Sequence, residues 1–245
     1  MIYDPLELSY SKVKAYLHCP ALYRFLYVEQ KRGPYTAMSS LGTSVHRALE
    51  AFHSRPGDID DLLESYNANW IGAGYAGPQE AMDCYQKGLG MLSRYWELEK
   101  DRKSAVRYVE KDFGFKFGKW TVRGTIDRID SLADGSWEVI DYKTGLEVKT
   151  PGQVAESLQM NMYGMGASRG LGITPALLTI FYVARGETVS CPYDPAGGEK
   201  FLGILRETGE KILGGDFSPD YSFCGVCGIN KICARAGVPE NGGGK

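Results

Sequence analysis

The chain has 245 residues, of which 43% are hydrophobic and 24% are charged, and its formal net charge is −2. This length allows one sizeable core, and the composition is that of an ordinary soluble protein. No apolar run approaches the ~20 residues of a membrane span and no secretory signal pattern is visible, so a cytoplasmic protein without a membrane partner is expected.

The charges are unevenly distributed along the chain. A net charge of −2 argues against a nucleic-acid partner. However, residues 100–130 carry nine basic and five acidic side chains, whereas residues 40–99 carry four basic and nine acidic ones. The basic segment favours contact with a phosphate backbone, and an ordinary mixed surface is the alternative.

Residues 8–30 predict two short helices, with Ser9 or Ser11 as the first cap. A break is expected at Cys19, because the residue before a proline is pushed away from helical angles. Tyrosines alternate with basic residues here. Such aromatics can stack on unpaired nucleotides, and packing in the core is the alternative.

Residues 33–40 predict a loop, followed by an amphipathic helix over residues 41–53 with Thr43 or Ser44 as its cap. His46 lies at the margin of the apolar face of this helix. A histidine in that position is either a hydrogen-bonded structural residue or a metal ligand.

Residues 58–103 predict helices, interrupted by loop signals at residues 72–78. Their apolar residues recur at helical spacing and indicate packing. Residues 106–117 predict a strand that ends in a turn at residues 118–119. Glu110 in this strand is either a further acidic site residue or a partner in a salt bridge.

Residues 121–145 predict two strands joined by a turn at residues 133–136. Asp141 and Lys143 are two residues apart in the second strand, so both side chains project from the same face. Asp127 lies near the end of the first strand, where a hairpin brings it beside them. Two close carboxylates repel each other unless a cation lies between them, which predicts a divalent metal. A solvated surface hairpin is the alternative.

Residues 153–169 predict a helix on which Gln159 and Tyr163, four residues apart, lie on one face. Three further elements are predicted after it: strands over residues 175–184 and 187–191 and a helix over residues 199–213. This order predicts an α/β protein with a mixed sheet flanked by helices.

Three of the six cysteines, at positions 224, 227 and 233, form a C-x2-C-x5-C pattern that predicts a metal centre. A fourth ligand would come from Cys19, Cys84 or Cys191. Four thiolates suit either zinc or an iron-sulfur cluster, although zinc sites more commonly show two separated cysteine pairs.

The sequence GTIDRID at residues 124–130 followed by VIDYKTG at residues 139–145 resembles the PD-(D/E)XK nuclease superfamily. More narrowly, it is similar to the nuclease domains of RecB and AddB-type recombination enzymes and to the CRISPR-associated RecB-like exonucleases. The resemblance covers residues 9–234. It implies a restriction-endonuclease-like core with a helical N-terminal lobe and a cysteine-ligated cluster that joins the termini.

The resemblance also implies a set of site residues. Residues 42–46 match the GxxxH element that supplies a metal-ligand histidine, and residues 159–163 match a Q-x-x-x-Y element directed at the active site. Mg²⁺ or Mn²⁺ would be held by His46, Asp127, Asp141 and the carbonyl of Tyr142. Lys143 would orient or deprotonate the attacking water, and Gln159 and Tyr163 would position the lysine and the nucleotide.

A cysteine before a proline near the N-terminus pairs with a C-terminal cysteine triplet in the families that this chain resembles. That arrangement implies a structural 4Fe-4S cluster, or less readily zinc, on Cys19, Cys224, Cys227 and Cys233. Residues 1–237 are expected to form one domain with a helical insertion at about 55–104 and a cluster segment at residues 19 and 224–233. Residues 238–245 are expected to be a flexible tail.

The implied activity is that of a metal-dependent DNA exonuclease acting on single strands or DNA ends in recombination, repair or phage-related processing. A helicase is the expected protein partner of such an enzyme. One alternative is a CRISPR adaptation nuclease that trims spacer precursors and has an integrase partner. A non-catalytic DNA-binding module and a metalloprotein that binds small molecules or proteins are the other two.

Overall fold

The computed structural model describes Asp4 and residues 6–233, and its chain divides into two compact units. The sheet unit consists of residues 35–115 and 123–199. The terminal unit contains the described residues up to 34, residues 116–122 and the described residues from 200 onward. The single domain expected over residues 1–237 stays a prediction, and the expected tail at 238–245 lies outside the described residues.

Groups of helices and groups of strands follow one another along the chain. The helices are α1 (Tyr10–His18), α2 (Pro20–Tyr23), α3 (Ala37–Ser54), α4 (Ile59–Ala68), α5 (Pro78–Glu99), α6 (Pro151–Ala155), α7 (Leu158–Met165) and α8 (Pro195–Leu213). The strands are β1 (Glu7–Leu8), β2 (Ala105–Phe117), β3 (Trp120–Ser131), β4 (Trp137–Lys143), β5 (Leu177–Tyr182) and β6 (Glu187–Pro192). Short π-helical or 3₁₀ turns extend α2 and α7 and cover Tyr221–Val226.

The strands form a mixed sheet, which confirms the predicted α/β class. β4 pairs antiparallel with β3 and parallel with β5. β6 is the last strand in the order and pairs antiparallel with β5. β2 also pairs with β3. In the terminal unit, β1 pairs parallel with the start of β3, at Thr121 and Val122.

One face of this sheet packs against α3, α4 and α5. The buried core on this side combines residues of the three helices with apolar side chains of β4 and β5, among them Ile140, Tyr142 and Phe181. The amphipathic pattern that predicted a helix around His46 corresponds to α3, whose buried residues include Val45, Leu49 and others at the same helical spacing.

The start of α3 was predicted wrongly. The helix begins at Ala37 rather than at residue 41, because Thr36 and Ser39 form a reciprocal capping box. Ser44, an expected cap, is buried inside the helix, where its hydroxyl donates to the Ser40 carbonyl oxygen at 2.8 Å. Thr43 likewise lies within the helix. The loop predicted over residues 33–40 is therefore shorter.

The helix predicted over residues 153–169 is divided into α6 and α7. The break follows Ala155, and the side-chain amide of Asn161 donates to the carbonyl oxygens of Ala155 and Ser157 at 2.7 and 2.9 Å. Side-chain hydrogen bonds of this kind compete with the helical ladder, so the backbone turns here. The turn sets the direction of α7, which carries Gln159 and Tyr163.

The terminal unit confirms two local predictions. Ser9 caps α1, and Cys19 adopts an extended conformation between α1 and α2, as expected for the residue before Pro20. Tyr16 and Tyr23 are buried in this unit, so both pack in its core. In the part of the chain that is described, no helix is both long and apolar enough to cross a membrane.

Candidate functional site

The hairpin of β3 and β4 brings two buried carboxylates together. The last pair of the ladder between the two strands is Arg128 with Ile140. Asp127 and Asp141 are the next residues along their strands, so their side chains project from the sheet face opposite to that of Arg128 and Ile140. Asp127 Oδ2 accepts a hydrogen bond of 2.8 Å from the backbone N–H of Tyr142. Asp127 is 7% exposed and Asp141 is 1% exposed.

These two buried acids lie close enough for their charges to repel each other. Burial raises the pKa of Asp127 well above its usual range, and the nearby charge of Asp141 raises it further. Asp141 Oδ2 lies 2.5 Å from Lys143 Nζ but makes no aligned hydrogen bond to any described residue. A buried carboxylate oxygen without a hydrogen bond, next to a second carboxylate, is a good ligand for a cation.

His46 approaches the acids from α3. Its Nδ1 atom lies 3.5 Å from Asp127 Oδ2, and its ring meets the Tyr142 ring edge-on at 6.1 Å between centroids. Burial lowers the pKa of His46, although the charge of Asp141 opposes that shift. The neutral imidazole that results is the form that coordinates metals.

Glu110 of β2 completes this group. One ligand atom each from His46, Glu110 and Asp127 lie within 4.8 Å of one another, and no other such group occurs among the described residues. Burial raises the pKa of Glu110 to about 7, and the charges of Glu50 and Asp112 contribute to the rise. Glu110 also has a backbone φ of 44°, in the left-handed region that side-chain-bearing residues rarely adopt.

The sequence left the role of Glu110 open, although a signal was available. The turn at Gly118, whose φ of 57° suits glycine, joins β2 directly to β3. Thr125 of β3 donates a 2.7 Å hydrogen bond to Asp112 of β2. Counting along both strands from this contact places Glu110 opposite Asp127.

Lys143, Gln159 and Tyr163 form a hydrogen-bonded chain beside Asp141. Lys143 Nζ donates to Gln159 Oε1 at 2.9 Å, while Gln159 Nε2 lies 2.8 Å from Asp141 Oδ1 and 3.1 Å from the Tyr163 hydroxyl oxygen. Burial raises the pKa of Tyr163, so it remains a neutral phenol. The side chains of α7 therefore hold the lysine and the acid of β4 in one arrangement.

The structure groups His46 and Asp127 with Glu110. Asp141, which the resemblance proposed as a ligand of the same ion, is not part of that group and lies beside Lys143 and Gln159. Tyr142 contributes through its backbone, because its side chain lies on the core face. His53, a histidine to which the sequence assigned no role, lies elsewhere: its Nε2 atom is 2.5 Å from the Tyr95 hydroxyl, and burial lowers its pKa to about 3.

The four cysteines that the resemblance proposed for a second centre lie in the terminal unit. Cys19, Cys224, Cys227 and Cys233 line one cavity of about 220 Å³. Burial raises the pKa of the Cys224 thiol, and the three other thiols raise it further. No three of the sulfur atoms lie within 4.8 Å of one another in the described chain. Cys84 and Cys191 are buried in the sheet unit, as expected for packing residues.

Comparisons with known proteins agree with this geometry. A family model described as the PD-(D/E)XK nuclease superfamily matches residues 7–234. The fold is similar to the crystal structure of "Putative exonuclease" from Eubacterium rectale, with a TM-score of 0.57 and 10% identity over 93% of this chain and 88% of that chain.

A second solved structure, that of SSO0001, is less similar. It covers 91% of this chain and 92% of its own at 15% identity, with a TM-score of 0.37 that is too low to indicate a shared fold. No curated protein matches the sequence significantly.

Proposed function

Because the chain belongs to the PD-(D/E)XK nuclease superfamily, we propose that it is a metal-dependent deoxyribonuclease that removes nucleotides from single strands or DNA ends. The observation that carries this proposal is the buried group of His46, Glu110 and Asp127 beside Asp141 and Lys143. An imidazole and two carboxylates that could hold an ion, next to a third carboxylate paired with an ammonium group, suit the hydrolysis of a phosphodiester.

The residues present fit Mg²⁺ or Mn²⁺, which nucleases of this superfamily typically use. His46, Glu110, Asp127 and Asp141 would hold the ion together with the carbonyl of Tyr142. The oxygen of Asp141 that lacks a hydrogen bond and the raised pKa of Asp127 both support this assignment. When bound, such an ion acidifies water and neutralises the charge that develops on the phosphate.

Lys143 is the residue that we assign to the reacting phosphate and water. Its ammonium group forms an ion pair with Asp141 and donates a hydrogen bond to Gln159, so it is a positive charge held at the site. Gln159 bridges Lys143 and Asp141, so it orients both groups. Tyr163 holds Gln159 and would position the nucleotide.

The activity is tested by incubating anaerobically purified protein with end-labelled single- and double-stranded DNA and Mn²⁺. We expect mononucleotides from the single strand and little product in EDTA. Lys143→Ala should reduce cleavage at least about 10²-fold and leave DNA binding intact. The exposed Arg55→Ala, outside the basic segment of residues 100–130, serves as the control. Cleavage by Lys143→Ala at the wild-type rate would refute the assignment.

We also propose that Cys19, Cys224, Cys227 and Cys233 hold a structural 4Fe-4S cluster, with zinc as the alternative. Four thiols around one cavity are a suitable donor set. A tetrahedral zinc with bonds of about 2.3 Å needs sulfur atoms about 3.8 Å apart, which is closer than the spacing in this structure allows for any three of them. Metal analysis and the absorption spectrum of anaerobic protein distinguish iron from zinc.

The proposed setting is recombination, repair or phage-related DNA processing with a helicase partner. A CRISPR adaptation nuclease with integrase partners is the alternative, and co-purification distinguishes the two. The acids and the lysine lie together, which favours catalysis over a DNA-binding module without activity.

A further inference from the structure

Phe113 of β2 packs against the candidate site. It is 5% exposed, and its ring meets the ring of Tyr163 edge-on, with 6.2 Å between the two centroids. Tyr163 lies on α7 and is itself buried. β2 therefore approaches the site with two side chains, because Glu110 of the same strand lies with His46 and Asp127.

Two glycines make room for the Phe113 ring. A side-chain carbon on Gly124 of β3 would come within 2.7 Å of this ring, and one on Gly166 would come within 2.5 Å of it. Gly166 begins the π-helical turn Gly166–Gly170 that extends α7, and turns of this kind are frequent at functional sites. Because neither glycine has a side chain, the ring lies directly against both backbones. The ring therefore fixes the end of α7 relative to β2 and β3.

The position of the Tyr163 ring affects the orientation of Gln159. The side chain of Gln159 has one carbonyl oxygen and two N–H groups on Nε2. Nε2 donates to Asp141 Oδ1 at 2.8 Å and to the Tyr163 hydroxyl oxygen at 3.1 Å. The carbonyl oxygen is then left for Lys143, whose Nζ donates to it at 2.9 Å. A displaced Tyr163 ring would remove one of the three hydrogen bonds that hold this amide.

We propose that Phe113 is a positioning residue that keeps Lys143 in place through Tyr163 and Gln159. The proposal rests on the proposed nuclease function, in which Lys143 acts on the phosphate and the water. The Phe113 ring has no charge and no hydrogen-bonding group, so it acts through the packing of Tyr163. Its loss should therefore lower the rate of the chemical step and leave the binding of DNA and cation unchanged.

The first test is the steady-state cleavage of end-labelled single-stranded DNA by Phe113→Leu in saturating Mn²⁺. We expect kcat to fall about tenfold, as for the loss of a favourable contact between two aromatic rings. KM for DNA and the Mn²⁺ concentration at half-maximal rate should change by less than about twofold. The matched control is Phe115→Leu, at a second buried aromatic residue of β2, which lies under the guanidinium of Arg169. It should retain the wild-type kcat.

The second test shows whether Phe113 acts through the Tyr163 hydroxyl. Tyr163→Phe removes the hydroxyl and should itself lower kcat about tenfold, as for the loss of one hydrogen bond. In the Tyr163→Phe background, Phe113→Leu should lower kcat by less than about twofold, because two residues that act in one chain are not additive. A full further loss in the double variant would overturn the proposal, since Phe113 would then act by another route.

The third measurement does not depend on catalysis. NMR of protein with isotope-labelled glutamine, in EDTA, follows the exchange of the Gln159 side-chain amide protons with water, and Gln159→Glu identifies their signals. We expect this exchange to be about tenfold faster in Phe113→Leu than in wild type, because the same aromatic contact is lost. Phe115→Leu should leave it unchanged. Equal exchange in Phe113→Leu and wild type would contradict the positioning role.

A folded Phe113→Leu protein with the wild-type kcat would overturn the proposal, and so would a loss of kcat equal to that of Phe115→Leu. If Phe113→Leu does not fold, Gly124→Ala replaces it in all three measurements, because its methyl group displaces the ring from its place. A wild-type protein that does not cleave DNA would refute the nuclease function, whereas the exchange of the Gln159 amide would still decide whether Phe113 positions it.

Discussion

Glu110 combines backbone strain with a position in the candidate metal site. A left-handed conformation at a residue with a side chain costs on the order of 1–2 kcal/mol. Here φ is 44° within β2, and the carboxylate lies with the ligand atoms of His46 and Asp127. Strain of this kind persists where the surrounding structure fixes the conformation, and it is concentrated at functional sites. We infer that the strain directs Glu110 toward the proposed cation site.

Two substitutions separate the effect of backbone strain at Glu110 from the effect of losing its carboxylate. Glu110→Gly removes the carboxylate and relieves the strain, whereas Glu110→Ala removes the carboxylate only. In EDTA we expect Glu110→Gly to have a free energy of unfolding about 1 kcal/mol higher than that of Glu110→Ala. Both variants should bind Mn²⁺ more weakly than wild type. Equal stabilities in urea denaturation would show that the backbone at this position is not strained.

The raised pKa of Glu110 predicts a dependence of stability on pH. Its pKa is about 7 in the folded protein against an ordinary value of 4.5, so between these values the folded state binds more protons than the unfolded state. The Glu110 contribution to stability therefore falls as the pH rises through this window. The lowered pKa of His46 acts in the opposite direction, so a comparison with a variant is needed.

Glu110→Gln mimics the protonated acid at every pH. In EDTA its melting temperature relative to wild type should therefore be higher at pH 8 than at pH 5. Saturating Mn²⁺ should remove this advantage at pH 8, because the cation stabilises the charged carboxylate. A difference between the two proteins that does not change with pH would contradict the raised pKa.

The residues of the central hairpin were predictable because strand alternation is a local rule. That rule placed Asp141 and Lys143 on one face, and the structure agrees. The partnership of Glu110 with Asp127 was not predicted, although the turn at Gly118 sets the two strands in that register. Periodicity does not describe the left-handed backbone at Glu110. The resemblance supplied His46, which periodicity alone placed only at the edge of a helix face.

At the scale of elements, the core face of the hairpin is fixed by a buried ionic network. Arg128 has no exposed surface, and its guanidinium forms two hydrogen bonds of 2.6 Å with Asp130. It also contacts Tyr95 at 2.9 Å and Glu99 at 2.8 Å, both on α5. Arg128 follows Asp127 in the chain, so the network that fixes β3 against α5 also fixes the position of the metal-site acid.

Removal of Arg128 would take away the ion-pair partner of the largely buried Glu99 and one of the two basic partners of the buried Asp130, which would keep Arg102. We expect Arg128→Ala to lower the free energy of unfolding by about 3–5 kcal/mol. Arg107→Ala, on the exposed side of β2, should change it by less than about 0.5 kcal/mol. Urea denaturation measures both values. A loss below about 1 kcal/mol for Arg128→Ala would show that the network does not stabilise the hairpin.

Elements with a clear apolar pattern were predicted well, including the short β5 and β6, whereas the two-residue β1 and the break between α6 and α7 were not. α5 and β2 lie where the apolar spacing and the turn signals place them. β1 was not predicted, because two residues are too few to show a period and their partner lies at Thr121 and Val122. The break between α6 and α7 depends on side-chain hydrogen bonds of Asn161, which apolar spacing does not report.

At the scale of the whole molecule, the terminal unit is assembled from three segments that are distant in sequence. Cys19 and Cys224 are 205 residues apart and line the same cavity. A centre bound between them closes a long loop, which removes freedom from the unfolded chain. Connections of this length are not visible in local sequence patterns, so the shared cavity could be predicted only through the family resemblance.

If the four cysteines hold a structural centre, loss of that centre should destabilise the protein. Cys227→Ser should abolish the iron content and lower the melting temperature, whereas Cys84→Ala, at a cysteine outside the cavity, should retain the iron. Oxidation or chelation of the centre should lower the melting temperature before Mn²⁺ binding at the sheet unit is lost. Cluster-free protein of unchanged stability would refute the structural role.

The most direct test of the central claim is the rate of nucleotide release from end-labelled single-stranded DNA as a function of Mn²⁺ concentration, for wild type and Asp127→Asn. This substitution removes one charge and keeps the size of a side chain that contacts both the candidate ligands and Tyr142. We predict a rate that saturates with Mn²⁺ for wild type and remains near the EDTA background for the variant. Release without a divalent cation, or the same saturating curve for both proteins, would contradict a cation-dependent nuclease at this site.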